Sequence, residues 1–117
     1  MLSERGQRAL VGIIENVDAA QDFVRNLSFE DFAVDRRNLY AVTRCLEIIS
    51  EASRRLDEAT RKRHPHIPWR QIADAGNIYR HEYDFVSPAM IWLTVHESLP
   101  DLLAACTMEL SSTSDGP

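Results

Sequence analysis

The stretch Gly76-Asn77-Ile78-Tyr79-Arg80-His81-Glu82-Tyr83 places an amide, a guanidinium, an imidazole and a phenol within eight residues. On a helix, positions three or four apart share a face. Asn77 and His81 are then neighbours one turn apart, Tyr79 and Tyr83 likewise, and Arg80 lies one turn beyond Gly76. Such a cluster can grip a phosphate through Arg80, exchange a proton near neutral pH through His81, and offer an attackable hydroxyl at Tyr83. Asn77 can donate to a phosphate oxygen or orient His81. Each residue also has a plainer reading. His81 can be an ordinary helix-end histidine, Arg80 an exposed or ion-paired cation, Tyr83 a packing aromatic and Asn77 a neutral helix position.

Elements that would carry this cluster follow from apolar spacing. Leu10, Ile13, Val17, Ala20, Val24 and Leu27 form one seam, predicting a helix over about Ser3 to Asn26. Ser28 with Asp31 reads as a capping pair that opens a short turn to Val34. A long helix is expected from Asp35 to about Arg63, with a seam of Leu39, Val42, Leu46, Ile49 and Leu56. Ala52 and Ser53 are small enough to let another helix approach. Glu51 reads most simply as an exposed partner of Arg55. The run Arg61-Lys62-Arg63-His64 suits the negative helix end, as a solvated terminus or as a basic guide toward the cluster. Pro65 stops this helix, and Pro68 opens the next, expected over Trp69 to His81.

Gly76 inside that helix costs about 1 kcal/mol relative to Ala unless a close helix contact or a ligand compensates. Ser87-Pro88 reads as cap and first residue of a last helix, whose seam is Trp92, Val95, Leu99, Leu102 and Cys106. Pro100 should kink it. Residues 1–110 are expected to form a single domain and 111–117 a disordered tail. The fold class expected is all-α, an antiparallel bundle of four to five helices.

The net charge of −5 argues against a protein that simply coats nucleic acid. Yet seven of the thirteen Lys and Arg lie between Arg54 and Arg80, and none follows His81, so a local basic face can still attract phosphate. No apolar run is long enough for a membrane span, and the N-terminus lacks a signal-peptide pattern, so a cytoplasmic protein is expected. Cys45 and Cys106 read as buried, reduced thiols. His64 and His66 flank a turn with no carboxylate or Cys to complete a ligand set, so no metal or cofactor is expected. Trp69 and Trp92 read as core anchors rather than base-stacking platforms.

Asn77, three further residues, then His81-Glu82-Tyr83 resembles the active-site signature of the HepT-like toxins of the HEPN superfamily: an Arg, usually followed by Asn, four to six intervening residues, then His-any-Tyr. The resemblance spans roughly residues 5 to 110. It includes Ala41-Val42 through Glu51-Ala52-Ser53, where Glu51 looks like the family's second-helix acid near the cleft, the turn Pro65-His66-Ile67-Pro68-Trp69, and Ile91-Trp92 to Leu99-Pro100. It departs at the motif Arg, which four to six intervening residues would put at Gly76, Ala75 or Asp74; none is Arg, and Gly76 stands in its place directly before Asn77. The resemblance implies a HEPN-like homodimer acting as a metal-independent ribonuclease in a toxin–antitoxin pair. His81 would transfer protons, with Arg80 replacing the lost Arg and Asn77 assisting. The partner would be a minimal nucleotidyltransferase antitoxin that adenylylates Tyr83. The alternative is a catalytically degenerate helical dimer that binds protein or nucleotide.

Overall fold

Polar side chains start most of the helices. A computed structural model describes residues 2–82, 84 and 86–114. Helix α1, Glu4–Val24, begins where the Ser3 hydroxyl accepts the Gly6 N–H at 2.9 Å. Short α2, Phe29–Ala33, begins where Ser28 accepts the Asp31 N–H. Helix α3, Arg36–Ser53, begins where Asp35 accepts the Asn38 N–H. Each such cap contributes about 1 kcal/mol. Helices α4, Glu58–Arg63, and α5, Trp69–His81, follow. Ser87 caps α6, Pro88–Leu93, with Pro88 in its first turn as the sequence predicts. A π-helical turn, Thr94–Ser98, then runs into α7, Leu99–Ser114. Among the described residues no strand occurs, so the protein is all-α.

The predicted seams are the core. Leu10, Ile13 and Val17 of α1 and Val42 of α3 are wholly buried, with Leu46, Ile49, Val95, Leu99, Leu102 and Cys106 nearly so. Helix α1 packs against α3 and α7, and α5 lies on α3. No helix among the described residues is long and apolar enough to cross a membrane.

Residues 111–114, expected in the tail, belong to α7, and two further details depart from the sequence expectation. The helix expected from Asp35 to Arg63 is broken after Ser53, and α4 starts afresh at Glu58. Three tight bonds close the break: Arg54 N–H to Glu51, Arg55 N–H to Ala52 and Leu56 N–H to Ser53. The cause is long-range. Asp57 accepts both the Ser3 N–H at 3.1 Å and the Ser3 hydroxyl at 2.8 Å, which ties the turn to the start of α1. Those bonds hold the Asp57 carboxyl below its ordinary pKa. Leu56 stays buried through the break.

The second departure is at Pro100, which lacks an N–H and would crowd the His96 carbonyl in a regular α-helix. The backbone answers with the π turn just before it, where Leu99 N–H reaches back five residues to Thr94.

Candidate active site

Gly76 is buried where α5 crosses α3. Its N–H donates to Ser50 Oγ at 3.0 Å, and the Ser50 hydroxyl donates to the Ala73 carbonyl at 2.9 Å. Arg54 adds two donations to that carbonyl, from Nε at 3.1 Å and Nη2 at 2.6 Å. A Cβ on Gly76 would stand 2.5 Å from Ser50 Oγ, closer than real contacts allow, and a tight 3.0 Å from Ser50 Cβ. The close helix contact expected from the sequence is therefore with Ser50. This position faces the helix interface.

The exposed edge of α5 carries the polar cluster. Arg80 Nη2 donates to Asn77 Oδ1 at 3.1 Å, and Arg80 Nη1 donates to Glu51 Oε2 of α3 at 3.3 Å. Glu51 thus pairs with Arg80 rather than with the Arg55 expected from helix spacing. The difference arises because α5 brings its own cation beside α3, which local spacing cannot reveal. Glu51 and Asn77 hold the guanidinium from two sides, at the rim of a groove of about 340 Å³ also lined by Arg44, Glu47 and Arg55.

His81 is exposed and ends α5, one turn beyond Asn77 and next to Arg80. The structure therefore brings Asn77 and Arg80 of α5 into contact with one another and Arg80 into contact with Glu51 of α3, and His81 follows Arg80 at the end of α5. Tyr83, the fourth candidate, lies outside the described residues.

Tyr79 points the other way and anchors α5. It is half-buried against the core, burial pushes its phenol pKa up, and a hydrogen bond with Thr94 of the π turn opposes that rise. Trp69 acts at the opposite end, where its indole N–H donates to the carbonyls of Arg61 and His64 at 3.1 and 3.0 Å. It fastens the start of α5 to the end of α4.

The basic run at that helix end is only partly solvated. Arg63 donates from Nε and Nη2 to the two carboxylate oxygens of Glu109 on α7, both at 2.8 Å. His64 Nε2 also lies 2.8 Å from Glu109 Oε1. Both His64 and Glu109 are buried. Sequence reasoning missed this link, although Leu99, Leu102, Cys106 and Glu109 continue the 3-4-3 stepping that places Glu109 on the core face. The link holds the Glu109 carboxyl below its ordinary pKa, chiefly through the Arg63 hydrogen bonds. The His66 ring sits 6.0 Å from that of His64. Among the described residues no group of three His, Cys, Asp or Glu converges as a metal site.

Comparison with known proteins agrees with this architecture. Residues 13–108 match the family model described as ribonuclease HepT-like. The chain is 39% identical over 93 residues to a protein of Thermococcus cleftensis named a probable ribonuclease HepT, covering 80% of this chain and 84% of that one. It is 31% identical over 102 residues to a Methanocaldococcus jannaschii protein, covering 86% of this chain and 94% of the relative. A Caldanaerobacter subterraneus protein is 36% identical over 90 residues, covering 77% and 80%. The names of these two mark them as candidate RNases. No solved structure matches. With its family model matched across most of its length, the chain belongs to the HepT-like ribonuclease family.

Proposed function

We propose that this protein is a metal-independent endoribonuclease, the toxin half of a toxin–antitoxin pair. The observation that carries the reading is the Arg80 guanidinium, steered by Glu51 and Asn77 onto the edge of α5 that ends in His81. Positive charge held in place beside a phosphoryl group stabilises the charge that develops on its oxygens. An adjacent imidazole exchanges the proton. In the reaction the ribose 2′-hydroxyl attacks the neighbouring phosphorus and the bond to the 5′-oxygen breaks. The 2′-hydroxyl loses a proton and the 5′-oxygen gains one, leaving a 2′,3′-cyclic phosphate and a 5′-hydroxyl.

The active species is a homodimer, a reading supported by apolar side chains left in solvent on two touching helices: Tyr40 on α3, with Met90 and Leu93 on α6. The cognate partner is a minimal nucleotidyltransferase that adenylylates Tyr83. An AMP group two residues after His81 blocks the site with bulk and negative charge.

A second reading has its own observation. Gly76, where the family Arg would stand, is packed against Ser50 and has no room for a side chain. This favours a non-catalytic dimer that keeps the fold and the partner. The two readings part in one experiment, incubation of the purified protein with RNA in excess chelator followed by analysis of the ends. Cyclic-phosphate products that vanish with His81→Ala support the nuclease. Partner binding without cleavage, unchanged by His81→Ala, supports the binding module.

A further inference from the structure

Arg5 and Arg8 of α1 and Arg55, just past α3, surround a groove of about 450 Å³ whose floor is Ala9, Gly12, Ile48 and Ala52. All three arginines are exposed. Among the described residues none of them pairs with a carboxylate, whereas Arg44, Arg63 and Arg80 all do. The groove lining contains no acid. Gly12 is unexplained by packing, because a Cβ there would meet nothing within 4 Å. A glycine inside a helix costs about 1 kcal/mol relative to alanine, and a floor kept open for a ligand accounts for it.

Ile48 and Arg55 also line the groove that holds Arg80. The two depressions are therefore neighbours that share Ile48 and Arg55, and the arginine-lined trough between α1 and α3 lies beside the groove that holds Arg80. In the second groove Glu47 and Glu51 are already held by Arg44 and Arg80.

We infer that the Arg5–Arg8–Arg55 trough is a binding track for the phosphodiester backbone of single-stranded RNA, which feeds the scissile phosphate toward Arg80 and His81. This rests on the nuclease reading for its direction but not for its binding chemistry. Guanidinium groups grip phosphate oxygens bidentately. The small-residue floor lets a sugar–phosphate chain lie close to the helices. The trough's lining holds no aromatic side chain to stack a base, so the contact is with the sugar–phosphate chain. The chain's net charge of −5 confines attraction to this local surface.

The test uses the full-length protein and a fluorescent, non-cleavable 2′-O-methyl RNA of about a dozen nucleotides, with anisotropy followed against salt. Neutralising three phosphate contacts on a single strand contributes a slope of roughly −2 in log K against log salt. The triple variant Arg5→Gln, Arg8→Gln, Arg55→Gln should lose that much slope and bind at least tenfold more weakly at low salt. Its circular dichroism should be unchanged, and Arg25→Gln, just past the far end of α1, should bind as the wild type does. An Arg5→Lys, Arg8→Lys, Arg55→Lys variant should keep most of the slope. Wild-type-like binding by the triple Gln variant overturns the inference. So does loss of partner-protein binding with RNA binding intact, which would make the trough a protein face. If the arginines govern binding but wild type cuts no RNA, the nuclease reading fails and the track stands.

Discussion

Ser50 accepts the backbone N–H of Gly76 at 3.0 Å, and its hydroxyl donates in turn to the Ala73 carbonyl at 2.9 Å. One small side chain therefore fixes the approach of α5 to α3 and the angle at which Arg80 and His81 leave the bundle. Gly76→Ala gains about 1 kcal/mol of helix propensity but forces a Cβ onto Ser50, an overpacking that costs about 1–3 kcal/mol and disturbs both hydrogen bonds. The expected outcome is a net loss of stability, read by urea denaturation. A more stable Gly76→Ala protein would mean that Ser50 yields freely. Gly76→Arg should destabilise further rather than restore activity.

In the proposed mechanism Glu51 acts through Arg80, which it contacts at 3.3 Å. The pair is exposed, so Glu51→Gln should change stability by no more than about 1 kcal/mol. Losing the carboxylate frees the guanidinium, and kcat should fall about tenfold, equivalent to about 1.4 kcal/mol of transition-state stabilisation. KM should not rise, since a negative charge leaves the phosphate's path. A raised KM with unchanged kcat would assign Glu51 to binding instead.

Acid should weaken the tie between α4 and α7. The Glu109 carboxyl is depressed in the fold, chiefly by Arg63, so its contribution is present above the unfolded carboxyl pKa of about 4.3 and is lost as pH falls through the lower folded value. Glu109→Gln should destabilise by about 2 kcal/mol at pH 7. The gap from wild type should narrow steadily below pH 4 in thermal melts. A gap independent of pH would place the effect in packing alone.

Cys106 should be inert in the native state. Burial, with some help from Glu109, pushes its thiol pKa up to about 12. At pH 8 that leaves a thiolate fraction of roughly 10⁻⁴, too little for attack. Iodoacetamide at pH 8 should label Cys106 only after denaturant is added, as judged by mass spectrometry. Rapid native labelling would contradict the burial described.

What the sequence disclosed follows from range. Seams such as Leu10–Ile13–Val17 and Val42–Leu46–Ile49, the Ser87–Pro88 start and the limits of α5 are set by neighbours a few residues away, and all were legible. The break after Ser53 was not, because Asp57 answers to Ser3, which lies 54 residues earlier in the chain. The same holds for the site. Asn77, Arg80 and His81 share one helix edge by spacing alone, whereas the Glu51–Arg80 pair and the Arg63–His64–Glu109 link join separate helices. Glu51 left a trace only in the family resemblance, as an acid near the cleft, and Glu109 as an acid at a core position of its seam.

The central claim is that Arg80 supplies the phosphate charge that Gly76 cannot. Single-turnover cleavage of a defined RNA in excess chelator, comparing wild type with Arg80→Gln and His81→Ala, tests it most directly. The account predicts cyclic-phosphate products from wild type and a loss of at least about 10²-fold in each variant, the scale of removing one donor to developing charge. Cleavage by Arg80→Gln at the wild-type rate, with His81→Ala inactive, would contradict it.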